Sequence, residues 1–196
     1  GGVADVESTG ANAHLYVAGR YNNHATSPNN GALTLQGVDW LKTTSGALCV
    51  GYNTGYAGPI EGVLSILGGS FVYEQTADAH IGSYTANNST DAPVEGQFSI
   101  GAGTAPVSLA FGNLNVGYRV QAVSTAVGLI DFRANAGGTM SVGTALRTGM
   151  NGKPSVGGIL LGTNWTLNVG SGAGTVAIGQ GGNSVVSTGR VSFAKG

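Results

Sequence analysis

The acidic side chains of this 196-residue chain bunch in its first half, where Glu61, Glu74, Asp78, Asp91 and Glu95 follow one another closely. Two carboxylates held roughly 5–9.5 Å apart across a sugar ring can hydrolyse a glycosidic bond, one as acid and the other as nucleophile or base. The density permits such a pair, yet solvated loop charges show the same spacing. Asp78 and His80 would share one side of a strand, an arrangement that fits a loop hydrogen bond better than a metal. His14, His24 and His80 lack metal-ligand spacing, and Cys49 is the only cysteine. The clusters Gly101-Ala-Gly103 and Gly179-Gln-Gly-Gly182 lack the lysine, or the strand-loop-helix setting, of a phosphate-binding loop. The expectation is a non-enzymatic chain with no metal and no cofactor.

Binding chemistry is better represented than catalysis. Sugar recognition joins aromatic platforms to amide and carboxylate hydrogen bonds. Trp40, Tyr52 and Tyr56, with Asn53 between the two tyrosines, supply both kinds of group beside a polar turn. These four residues are the expected binding surface. Tyr73, Tyr84 and Asn87 fall in the same acidic half.

The elements that must position these groups are short. Thirty-six glycines separate β-type triplets such as Leu33-Thr-Leu35, Phe98-Ser-Ile100 and Val176-Ala-Ile178. Alternation of apolar with small polar residues puts one set of side chains inside and the other outside a sheet. Ser70–Ile81 begins with a strand-like alternation, and its later half has the capacity for one or two helical turns. Ser83–Glu95 reads as a long polar loop and a subdomain boundary. The expected division is an acidic, loop-decorated β region over 1–96 and a regular glycine-punctuated β region over 97–196, within what can be one continuous domain. Segments near the end close at Gly170, Gly179, Gly189 and Gly196, a spacing that suits an up-and-down meander or the rungs of a β-roll. The fold class is all-β, with short strands and Gly-rich turns, arranged as an intertwined trimeric β-prism, a β-roll or a β-sandwich.

Composition narrows the partners. Charged residues make up only 9% of the chain, against roughly 25% in ordinary globular proteins. So neutral a surface points to self-association as a homo-oligomer. Hydrophobic residues at 41% and a net charge of −1 argue against wholesale disorder. Residues 1–118 hold eight acids and two bases, whereas 119–196 hold one acid and six bases, a division that suits complementary surfaces between subunits. A near-neutral chain with scattered bases disfavours nucleic acid. No run of eighteen apolar residues predicts a membrane helix. The chain starts without methionine and reads as a fragment or processed product of something longer.

Two passages carry a family likeness. Val127-Gly-Leu-Ile-Asp-Phe-Arg-Ala-Asn-Ala-Gly-Gly138 resembles the Ile-Asp-Phe-His passage, followed by a small-residue turn, of bacteriophage tail-fibre and tailspike proteins, with Arg133 standing where those proteins usually have histidine. Gly174-Thr-Val-Ala-Ile-Gly179 resembles the rungs of trimeric autotransporter adhesin heads. Both resemblances imply a β-structured homotrimer on a virion surface or outside the cell. It would attach to a bacterial surface glycan or protein. The alternatives are a capsid, decoration or filament subunit with a jelly-roll fold, and a short glycan depolymerase.

Overall fold

The computed structural model describes residues 4–7, 14–20, 28–42, 46–54, 58–85, 92–120, 124–151, 154–170, 174–181 and 186–195. Among them every assigned element is a strand, and all strand pairs are parallel. The chain winds as a β-solenoid of six coils. Coil 1 holds β1 (Ala4–Glu7), β2 (Leu15–Arg20) and β3 (Asn29–Gln36). Coil 2 holds β4 (Val38–Lys42), β5 (Leu48–Asn53) and β6 (Ile60–Leu67). Coil 3 holds β7 (Gly69–Glu74), β8 (Ala79–Tyr84) and β9 (Val94–Ile100).

Coils 4 and 5 fuse their first two strands into β10 (Thr104–Tyr118) and β12 (Gly138–Met150), each followed by one strand, β11 (Ala126–Phe132) and β13 (Ser155–Leu161). Coil 6 returns to three strands, β14 (Trp165–Val169), β15 (Thr175–Ile178) and β16 (Ser187–Phe193). Stacked coil on coil, these strands build three ladders. Face 1 is β1-β4-β7, then the first halves of β10 and β12, then β14. Face 2 is β2-β5-β8, then the second halves of β10 and β12, then β15. Face 3 is β3-β6-β9-β11-β13-β16.

Parallel pairing corrects two sequence expectations, since meander strands and jelly-roll neighbours run antiparallel. The repeat is also one coil long rather than one strand long. Gly31, Gly62, Gly96, Gly128, Gly157 and Gly189 stand in register on face 3, at steps of 31, 34, 32, 29 and 32 residues. The helical capacity expected late in 70–81 is not used, because β7 and β8 occupy that stretch with a short bend between them. The expected boundary after residue 96 falls inside β9, which pairs continuously with β6 and β11.

Glycine spacing has a packing cause. Where faces 2 and 3 meet, a second glycine column on face 2, Gly51, Gly82, Gly117, Gly149 and Gly179, adopts φ of 59–65°. Its members press backbone to backbone against the face 3 column. A Cβ on Gly128 would lie 2.3 Å from the Gly117 amide nitrogen and 2.3 Å from the Ile81 carbonyl oxygen. Coil 1 alone carries Ala18 at the corresponding place, with φ 51°, and there the clearance opens so that a Cβ on Gly31 would stand 3.2 Å from the Ala18 nitrogen.

The wider part of the solenoid is filled by side chains. Leu64, Ile66, Phe98, Ile130, Phe132, Ile159 and Leu161 from face 3 meet Phe71, Tyr73, Leu109 and Met140 from face 1 and Leu48, Val50, Ile81 and Val116 from face 2. An aromatic run crosses this core: Trp40–Phe71 at 6.2 Å, Phe71–Phe98 at 5.8 Å, Phe98–Phe132 at 4.9 Å and Phe132–Trp165 at 4.8 Å between ring centroids. Tilted, edge-on and stacked rings of this kind add about 0.5–1.5 kcal/mol per pair beyond their buried area. A smaller cluster of Ile60, Tyr84, Ala92, Val94 and Ala126 closes the corner between faces 2 and 3.

Candidate functional site

The side chains with chemistry converge on the outer side of face 2. Parallel register sets Tyr16, Cys49, His80, Asn115, Arg147 and Ala177 in one column. The positive-φ glycine redirects the backbone just beyond this column, so the next residue joins a neighbouring column holding Tyr52 and Tyr118.

The two columns interlock. The Tyr52 ring stacks on the His80 ring at 4.4 Å, and Tyr16 stacks on Tyr52 at 6.4 Å. Asn115 Nδ2 lies 3.4 Å from His80 Nδ1, and Arg147 Nη1 donates to Asn115 Oδ1 at 3.1 Å. The Arg147 guanidinium also lies 5.7 Å over the Tyr118 ring. Mutual stacking buries the middle of the ladder, leaving His80 8% and Tyr52 9% exposed although both are on the outside of their sheet. Tyr16, Tyr118 and Arg147 stay half-buried and form its accessible rim.

Electrostatics follow from this burial. Desolvation lowers the His80 pKa to about 4; Asp78 opposes the shift, and Arg147 adds to it. Burial pushes the Cys49 thiol well above its ordinary range, so this cysteine is a packed small side chain rather than a nucleophile. Asp78, just before β8, accepts from the Asn113 amide at 3.0 Å and from Asn113 Nδ2 at 2.7 Å. No group of three or more metal-binding side chains gathers among the described residues.

The residues singled out from sequence are scattered over the solenoid. Tyr52 is in the ladder, but its edge is covered and its hydroxyl is 2.8 Å from Thr85 Oγ1. Asn53 is fully buried. Trp40 is on face 1, half-buried against the core, so the structure does not join it to Tyr52 in one surface. Tyr56 lies outside the described residues, as do His24, Asn87 and Asp91. Glu74 accepts a hydrogen bond from Ser108 on face 1, whereas Glu61 and Glu95 are register partners on the outer side of face 3. Glu74 on face 1 is thus separated from Glu61 and Glu95 on face 3.

Arg133 is held by Asp131 through a 2.6 Å ion pair. The guanidinium keeps the Asp131 carboxyl below its usual range, mainly through their side-chain hydrogen bond. Sequence reading missed Asn115, Tyr118 and Arg147. Their signal is the recurrence of Leu48-Cys-Val-Gly51, Ala79-His-Ile-Gly82, Leu114-Asn-Val-Gly117, Leu146-Arg-Thr-Gly149 and Val176-Ala-Ile-Gly179, whose second positions form one column of the ladder, while the residues after Gly51 and Gly117 are Tyr52 and Tyr118 of the other.

Comparison with protein-family models, with curated proteins and with solved structures finds no match for the chain.

Proposed function

We propose that this solenoid is an attachment domain, of the phage tail-fibre kind, that binds a bacterial surface glycan along the outer side of face 2 without acting on it. The observation that carries the reading is the stacked ladder of Tyr16, Tyr52, His80, Asn115, Tyr118 and Arg147. Its aromatic rim offers flat apolar area to sugar rings. Arg147, held by the buried Asn115, adds a polar group fixed in place before any ligand arrives, which reduces the ordering cost of binding. Coil stacking repeats such groups at about 4.8 Å along the axis, a spacing suited to an extended ligand. Several copies on one particle would add avidity through effective concentration.

The test is binding of the labelled chain to a panel of bacterial cells and their purified surface polysaccharides. Tyr118→Ala and Arg147→Gln should each weaken binding roughly tenfold or more while leaving the circular dichroism spectrum unchanged. No binding across the panel, or binding indifferent to both substitutions, would sink the reading.

A filament subunit is the second reading, favoured by the last coil. There β14, β15 and β16 each pair on one side only, and Val176, Ile178, Val186 and Phe193 are exposed. Open edges and apolar side chains suit end-to-end assembly. Growth of particle mass with concentration, without a fixed end point, is its signature.

A further inference from the structure

The outer side of face 3 carries carboxylates at one end, an arginine at the other, and between them apolar side chains beside the Asp131–Arg133 ion pair. Glu61 and Glu95 stand opposite one another on β6 and β9, and with Val63 and Gln97 they line a shallow concavity of about 160 Å³. Leu129 and Val156, on β11 and β13, form an apolar centre, Val156 being 41% exposed. Arg190 projects from β16 in the same column as Val63 and Gln97, and pairs with no carboxylate among the described residues.

We propose that two copies of the chain pair through this face with their solenoid axes antiparallel. A two-fold rotation about an axis along the strands reverses the order of coils and keeps each column over its counterpart. With that axis beside β11, the partner's coil 6 comes to rest over the gap between coils 2 and 3. Its Arg190 then points into the concavity between Glu61 and Glu95, and the relation is reciprocal because the same patch carries both socket and plug. Leu129 and Val156 of the two copies meet near the centre, beside Asp131–Arg133 pairs that are neutral as units, where sheets pack about 10 Å apart.

Five overlapping strands of seven residues cover about 550 Å² on each copy at ~4.8 Å by ~3.3 Å per residue. The pair would bury about 1,100 Å², just above the ~1,000 Å² expected of a specific interface, so the affinity belongs in the micromolar range. The homotrimer expected from sequence fits this face less well. Around a parallel axis lined by face 3, Glu61 and Glu95 would meet their own copies at the same height, and like charges opposed across an interface repel.

Sedimentation velocity across the micromolar range, at low and high salt, tests the arrangement. The wild-type chain should form a dimer that weakens with salt. Glu95→Arg and Arg190→Glu should each raise the dissociation constant roughly tenfold or more. Mixing the two variants should restore a heterodimer, since each then presents the charge that the other lacks. Both side chains are exposed, and circular dichroism will check the fold; Glu61→Arg replaces Glu95→Arg if the latter does not fold. A chain that stays monomeric, a dimer indifferent to both substitutions, a mixture that does not recover, or a trimer would each overturn the proposal.

Discussion

At the residue scale, His80 shows how a solenoid makes an unusual environment from ordinary neighbours. Its ring stands between Tyr52 and Asn115 on the adjacent coils, with Arg147 close enough to disfavour a second positive charge. The folded pKa of about 4 lies below the ordinary value of 6.5. The folded state therefore stays neutral in a range where the unfolded chain takes up a proton. Its stabilising effect is complete above about pH 6.5 and is lost as pH falls toward 4. At about 1.36 kcal/mol per pKa unit, the loss over that window is about 3 kcal/mol. Urea unfolding at a series of pH values should show this decline, and His80→Gln should flatten it. The site is half legible in the sequence: Tyr52 stands out beside its polar turn, but its stacking partner is 28 positions further on, where the nearest chemistry along the strand is Asp78. Period-two alternation relates neighbours along a strand, whereas the ladder joins residues one coil apart.

At the element scale, the glycine columns decide where substitutions are tolerated. Gly128 is held against the backbones of β8 and β10, and an added methyl has no flexible side chain to displace. Gly128→Ala should cost at least ~3 kcal/mol in urea unfolding, or abolish folding. Gly37 provides the contrast. It has φ of 62° but nothing within 4 Å of an added Cβ. Gly37→Ala should cost only the left-handed backbone strain, about 1–2 kcal/mol. Equal effects at the two sites would mean that close packing is not what the columns do. Strand content was readable from alternation and turn residues, as at Phe98-Ser-Ile100. The coil repeat was not, because its steps vary between 29 and 34 residues and its shared positions are few. Face 3 segments such as Gly62-Val-Leu-Ser-Ile66 and Gly128-Leu-Ile-Asp-Phe132 agree in one glycine and three apolar positions, two of them facing the core. Packing needs no more than that.

At the scale of the whole molecule, charge and shape act together. The acidic first part and basic last part of the sequence become opposite ends of one solenoid, because chain order and axial order coincide. That gives the molecule a lengthwise polarity, and the proposed antiparallel pairing would cancel it. It also explains how a chain with so few charges can be electrostatically specific: Glu61, Glu95 and Arg190 occupy one sheet face.

The backbone-to-backbone glycine contact also makes the molecule modular in length. Each coil from the second to the sixth contributes one glycine to each column, so a whole coil is the smallest piece that can be removed from among them without breaking the pairing. Excising residues 96–127 would join Glu95 directly to Gly128, its register equivalent of Gly96, and leave every remaining strand with a partner. Such a chain should fold with the same circular dichroism signature and be shorter by about 4.8 Å in solution scattering. Removing half that number of residues from the same place should prevent folding altogether. Length in this molecule is quantised, and the quantum is one turn of the chain.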